Sequence, residues 1–174
     1  ILFTLTGIEA QVTYTTNSGH VSFFANAPVA DVDARNDKTK ITLNASTGEL
    51  TANIDMTSFQ FKNKKMGRDA RRNYIEINKF PQASFVGKIT GKIDYDKTGS
   101  YPVTATGKLK VHGVERDVSE KGTVKVQEGQ IRIDSDFRVA LKDHNIETPK
   151  ILGQEMTDDS VIVKIEATLS SPSR

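Results

Sequence analysis

From Val12 onward, apolar and polar residues alternate in short runs broken by turn formers, the pattern of an antiparallel sheet. Asn17-Ser18-Gly19, Asn36-Asp37, Ser46-Thr47-Gly48, Lys97-Thr98-Gly99, His112-Gly113 and Glu128-Gly129 all suit turns. They predict strands near 12–16, 20–27, 29–35, 39–45, 49–56, 83–96, 101–112, 114–127, 130–142 and 160–169. Several exceed the usual length of about 5–6 residues. Long consecutive antiparallel strands must curl, and closing into a barrel removes their exposed edges. The expected fold is therefore all-β, an antiparallel barrel of about eight strands. Asn63 to Tyr74 is polar and poor in β-formers, which predicts one short helical excursion or ordered loop near 63–75, with Pro81 launching the next strand.

Alternation assigns each strand an apolar face. One set is Phe85, Gly87, Ile89, Gly91, Ile93 and Tyr95, and the next is Tyr101, Val103, Ala105, Gly107, Leu109 and Val111. Others are Val21/Phe23/Ala25/Ala27, Ile41/Leu43/Ala45, Leu50/Ala52/Ile54/Met56, Ile131/Ile133/Phe137/Val139/Leu141 and Val161/Val163/Ile165/Ala167/Leu169. Many of these residues are small, and the chain has no Trp. A barrel of about eight strands is just wide enough to be filled by side chains or to hold one small ligand. Small residues on several walls favour a cavity. Phe and Tyr reaching across from opposite walls, with glycines as bend points, favour a filled core. An apolar cavity would select apolar cargo, since each buried methylene contributes roughly 0.8 kcal/mol. Arg116 and Glu120 share the inward face of the strand from Val114 if Val118, Gly122, Val124 and Val126 point inward. They lie either at the barrel end in solvent, or with Arg116 at a mouth, meeting a polar or anionic headgroup.

Composition narrows the chemistry. The 174 residues carry a net charge of +2, too balanced for a dedicated nucleic-acid binder. The absence of cysteine removes disulfides, thiolate metal sites and a cysteine nucleophile. His20, His112 and His144 lack metal-binding spacing, no nucleophile-elbow serine motif occurs, and His112 before Gly113 suits a structural hydrogen bond. No catalytic residue, metal or cofactor is therefore expected, and an enzyme is disfavoured. Charge is nonetheless uneven. Lys62, Lys64, Lys65, Arg68, Arg71, Arg72 and Lys79 are opposed locally only by Asp69 and Glu76. This segment is a solvated face, or it meets a phosphate or an anionic membrane surface. Phe59, Phe61, Met66 and Tyr74 form an apolar flank that would frame a portal. No run of about 18 apolar residues occurs. Residues 1–11 are an N-terminal extension, since Gly7-Ile8-Glu9-Ala10 after an apolar start suits either the remnant of an export signal or an ordinary strand. Residues 12–174 form one domain.

Three segments carry a resemblance to the YceI-like proteins. Tyr14 to Phe23 (YTTNSGHVSF) is similar to that family's opening strand pair. Tyr74-Ile75-Glu76, followed by Lys79-Phe80-Pro81-Gln82-Ala83-Ser84-Phe85, resembles its Tyr-x-Glu…Lys-(Tyr/Phe)-Pro-x-x-x-Phe signature. Gly107 to Val114 (GKLKVHGV) matches its Gly-x-Leu-x-(Ile/Val)-His-Gly-Val hairpin, and Phe137-Arg138-Val139-Ala140-Leu141 with Ile146-Glu147-Thr148-Pro149 fits its closing part. After Met66 the family commonly has a His and then a Phe, where this chain has Asp69 and Ala70, a loss that would widen the entrance or remove a ligand contact.

The resemblance implies a lipocalin-like barrel, exported to the bacterial periplasm, with an apolar tunnel for a polyisoprenoid. The expected function is noncatalytic: sequestering or transporting an isoprenoid lipid, a quinone or polyprenyl phosphate. The expected partners are that lipid and an anionic membrane surface but no nucleic acid, and the expected state is a monomer or homodimer. The tail is expected along Phe23, Ala25, Leu50, Ile54, Phe85, Ile89, Leu109, Phe137, Val139, Val163 and Ile165, beside Gly87, Gly91, Ala105 and Gly107. Leucines at 87 and 107 would then close the tunnel in a folded barrel. The headgroup or portal set is Phe59, Phe61, Arg68, Arg71, Arg72, Tyr74 and Arg116. The alternative is an interaction module with a filled barrel, acting through the basic 62–79 segment at a membrane or partner surface.

Overall fold

The computed structural model describes residues 12–26, 31–147, 150–151, 154–155 and 159–171. Residues 1–11, Ala27, the predicted strand start at 29, and Thr148-Pro149 lie outside them. The described strands are β1 (Thr13–Ala25), β2 (Val32–Asn44), β3 (Glu49–Asp55), β4 (Gln60–Phe61), β5 (Gln82–Thr90), β6 (Gly99–Val111), β7 (Val114–Gln127), β8 (Gln130–Ala140), β9 (Lys150–Ile151), β10 (Gln154–Glu155) and β11 (Ser160–Ser170). The sheet order β1-β11-β8-β7-β6-β5-β3-β2 closes on itself through a β1–β2 pairing, giving an eight-stranded antiparallel barrel. The short β4 adds to the mouth-side half of β2 at Ala34↔Phe61. The excursion is helical as predicted: α1 (Lys64–Asp69) runs into a wider helical turn over Ala70–Tyr74. Asn63 caps α1, its Oδ1 accepting from the backbone N–H groups of Lys65 and Met66.

Two predicted turns are interior to strands. Asn17-Ser18-Gly19 lies within β1, where the register with β2 slips between Thr16 and Val21, so these residues form a bulge that bends the strand. Asn36-Asp37 lies within β2 because Asn36 is fully buried, its amide donating to the Asp55 carbonyl at 2.8 Å while its own oxygen accepts from Lys38 N. The predicted strand 83–96 ends early, at Thr90. Ile93 and Tyr95 leave the ladder but still tuck under the barrel, with Tyr95 stacked on Tyr14 at 5.9 Å.

The two ends differ in what fills them. At the end carrying the Ser46-Thr47-Gly48 and Glu128-Gly129 turns, Leu43, Val124, Ile131 and Leu169 are wholly buried and form a solid floor with Tyr14, Ile41, Val103 and Ile133. The other end receives the long connection 56–81 and the described part of the connection after β8, and the interior below them is open. One seam in the wall is made differently. The β7–β8 ladder runs only from Gln127↔Gln130 to Thr123↔Asp134. Towards the mouth, side chains take over: Ser135 Oγ donates to the Lys121 carbonyl (2.7 Å), and Arg116 Nε to the Asp143 carbonyl (2.7 Å) and His144 Nδ1 to the Val114 carbonyl (3.1 Å) tie β7 to the turn Leu141–His144 that follows β8.

Candidate functional site: the barrel cavity

Alternation puts Phe23 and Ala25 (β1), Leu50 and Ile54 (β3), Phe85 and Ile89 (β5), Ala105 and Leu109 (β6), Phe137 and Val139 (β8), and Val163 and Ile165 (β11) on the inner surface, and all of them line one cavity of about 680 Å³. That volume lies in the range that takes one small to medium-sized ligand. Met56, Phe59, Met66, Ala70, Tyr74, Ile75, Leu141 and Ile146 roof it from the two long connections.

The predicted glycines are a correction. Gly87, Gly91 and Gly107 do not line the cavity. Gly87 and Gly107 are register partners on β5 and β6. A Cβ on Gly107 would fall 2.5 Å from the Gly87 Cα, and one on Gly87 only 2.3 Å from the Thr106 carbonyl oxygen. The Phe85 ring also folds back over Gly87, with its Cζ 2.7 Å from that position. These glycines let two strands approach and a ring lie flat, so they create contact rather than space. Gly91 is likewise pressed against the Pro102 carbonyl, at 2.8 Å from a would-be Cβ.

The predicted portal divides. Phe59 and Tyr74 line the cavity, whereas Phe61, Arg68, Arg71, Arg72 and Arg116 do not. Phe61 packs against Phe23 (5.7 Å between centroids) and under Gly67 of α1. Arg71 holds the roof together, donating to the Phe59 carbonyl at 2.5 Å with its guanidinium 5.1 Å from the Phe61 ring centroid. Arg116 is committed to the β7–β8 seam. Arg68 is exposed on α1 and Arg72 on the turn that follows it. The polar side chains at the mouth are instead Asn63, Lys65, Asp69, Asn73 and Lys150. Asp69 and Ala70, the positions where the chain departs from its resemblance, both face the cavity there.

Sequence reasoning missed Thr39, Ser135 and the placement of Glu120, all of which line the cavity. Burial pushes the Glu120 carboxyl above its ordinary value. The signal for Glu120 was its place in the inward alternation of β7. For Thr39 and Ser135 it was a hydroxyl in phase with apolar neighbours.

His112 and His144 tie the mouth connections to the barrel wall. His112 adopts a left-handed conformation before Gly113, and its ring lies 4.2 Å from that of Phe80. Its Nε2 contacts the Glu76 carboxylate at 3.0 Å and its Nδ1 the His144 carbonyl at 3.2 Å, latching both mouth connections to the β6–β7 hairpin. Among the described residues no cluster of His, Cys, Asp and Glu is arranged to hold a metal ion, and no helix is long and apolar enough to cross a membrane. The Lys79 ammonium first, and the His112 ring second, hold the Glu76 carboxyl below its ordinary 4.5. A carboxyl depressed in the folded state stabilises fully above its unfolded value, and that contribution is lost as pH falls through the folded value. Glu76→Gln is therefore expected to be less stable than the parent at neutral pH, with the gap closing below pH 4.5. Chemical denaturation across the pH range checks this, and a pH-independent gap would show that the latch is not ionic.

Strands running up and down around one apolar cavity, solid at one end and roofed by a helical segment at the other, define a barrel of the ligand-enclosing class. The chain belongs to the YceI-like family, whose domain model matches residues 4–169. Solved structures agree on the fold. A polyisoprenoid-binding domain from Saccharophagus degradans implicated in plant cell wall breakdown superposes with TM-score 0.73 at 14% identity, over 94% of this chain and 100% of that one. Burkholderia cenocepacia BcnA gives 0.69 at 19%, over 86% and 95%. A Campylobacter jejuni YCEI protein gives 0.58 at 16%, over 100% and 93%. No curated protein matches the chain.

Proposed function

We propose that this protein is a noncatalytic lipid-binding barrel that sequesters or transports an isoprenoid lipid, a quinone or polyprenyl phosphate, in an exported, periplasmic setting. The observation that carries the reading is the cavity of about 680 Å³, lined on every wall by apolar side chains. Micromolar binding needs about −8 kcal/mol. At roughly 0.8 kcal/mol per buried methylene, a prenyl chain supplies that from a few isoprene units before ordering costs. The relative described as polyisoprenoid-binding shares the fold and supports the same cargo class. The exposed Arg68 and Arg72, beside the roof, supply positive charge for approach to an anionic membrane.

Mild purification followed by organic extraction and mass spectrometry is the test, with native mass spectrometry for stoichiometry. One isoprenoid per chain is expected. A protein that is empty, and stays empty after incubation with quinones and prenyl phosphates, would overturn the reading in favour of surface interaction.

A further inference from the structure

The deep end of the cavity is not uniformly apolar. Thr39 is fully buried, faces the cavity, and its Oγ1 has no hydrogen-bond partner. Glu120 faces the same space from β7, beside the small residues Ala105, its register partner, and Gly122, two positions along its own strand. Ser135 stands next to Gly122 across the seam, its Cβ 3.3 Å from where a Gly122 Cβ would be. Its hydroxyl hydrogen is spent on the Lys121 carbonyl, which leaves its oxygen free to accept.

Each of these three side chains is two residues along its strand from a floor residue or from a residue paired with one. Thr39 and Ser135 are each two residues along their strands from a floor residue, Ile41 and Ile133, and Gly122 pairs with the floor residue Val103. The other charged residues lining the cavity, Lys65, Asp69 and Lys150, belong to the mouth segments. A hydrocarbon tail inserted to the floor would cover the polar groups of Thr39 and Glu120 without giving either a hydrogen-bond partner. A polar terminus placed there would satisfy them.

Resting on the lipid-binding reading, we propose that the cargo enters head-first. A lipid with an uncharged, oxygen-bearing terminus hydrogen-bonds to Glu120, Thr39 and Ser135 at the cavity floor while its chain runs towards the mouth, and phosphorylated prenyl lipids are refused. Thr39 can donate to or accept from a hydroxyl and the Glu120 carboxylate accepts from one, and among the described residues no cation lines the floor to receive a phosphate. Desolvation makes a carboxylate facing a phosphate in this space doubly unfavourable.

The test is competition between geranylgeraniol and geranylgeranyl phosphate, which carry the same chain, read by native mass spectrometry at neutral pH. The parent protein is expected to favour the alcohol by about tenfold or more, equivalent to about 1.4 kcal/mol. Glu120→Gln keeps the shape and a hydrogen bond but removes the charge, and is expected to bring that ratio towards one. Lys65→Glu, at the mouth, is expected to move it less than Glu120→Gln does. Equal binding of the two probes by the parent, or a ratio that responds to Lys65→Glu more than to Glu120→Gln, would put the head at the mouth and overturn head-first entry while leaving lipid binding intact. Binding of neither probe would instead overturn the lipid-binding reading itself, and head-first entry with it.

Discussion

A barrel carrying leucine at both Gly87 and Gly107 is expected not to fold. The two residues face each other across β5 and β6, and a Cβ on either would lie 2.3–2.4 Å from a carbonyl oxygen of the opposite strand. Those carbonyls belong to the backbone and cannot rotate away, so relief requires the strands to part and lose their ladder around the pair. Damage of this kind belongs with the largest single-site effects, above about 4 kcal/mol. A domain of ordinary stability has only about 5–15 kcal/mol in total. Far-UV circular dichroism and thermal melting of the double variant should show no cooperative unfolding, and either single alanine variant should melt well below the parent. Val86→Thr is the matched control, because Val86 adjoins Gly87 on β5 but is 60% exposed. It should melt like the parent. A folded, melting-competent double variant would mean that the strands do not approach so closely, and the tunnel-closing role expected from the alternation pattern would return.

The second large effect falls on cargo and spares the fold. Ala105 faces the cavity two residues along β6 from the floor residue Val103, in register with Ile89 on one side and Glu120 on the other. In Ala105→Phe the ring would project into open space rather than against a packed wall, so the melting temperature should hold or rise. Lipid that shared that space must give it up. Displacing only two methylenes forfeits about 1.6 kcal/mol, which is more than tenfold in affinity. Lipid recovered by extraction from the folded variant should fall accordingly. A folded Ala105→Phe protein with undiminished cargo would place the lipid outside the barrel.

Both predictions turn on small residues of one alternating face, which the sequence alone cannot separate. Ala105 and Gly107 occupy neighbouring inward positions of β6, yet one borders a cavity and the other a backbone 2.5 Å from its would-be Cβ. In the chain they look alike. The difference arises because Gly107 is paired with Gly87 across the β5–β6 ladder, with the Val86 carbonyl 2.4 Å from its would-be Cβ, whereas Ala105 is paired with Ile89 beside the open cavity. The same separation runs through the charged residues. Arg68, Arg71 and Arg72 form one basic run, but only Arg71 turns inward, to the Phe59 carbonyl and the Phe61 ring, because Phe59 and the adjoining β4 present that carbonyl and ring to it.

What the sequence determined by itself was the strand period, the apolar faces, the helical interruption near residue 63, and hence an antiparallel barrel with Phe23, Leu50, Phe85, Leu109, Phe137 and Val163 turned inward. Alternation is local: each residue's face follows from its neighbours, so no knowledge of distant strands is needed. Only the tertiary structure decided that the floor is solid and the upper half open. It also decided that Asn36 is buried within β2 rather than exposed in a turn, and that Glu120 shares the cavity with Thr39 and Ser135. These outcomes depend on which strands meet after closure and at what spacing, and residues far apart in the chain set that distance together.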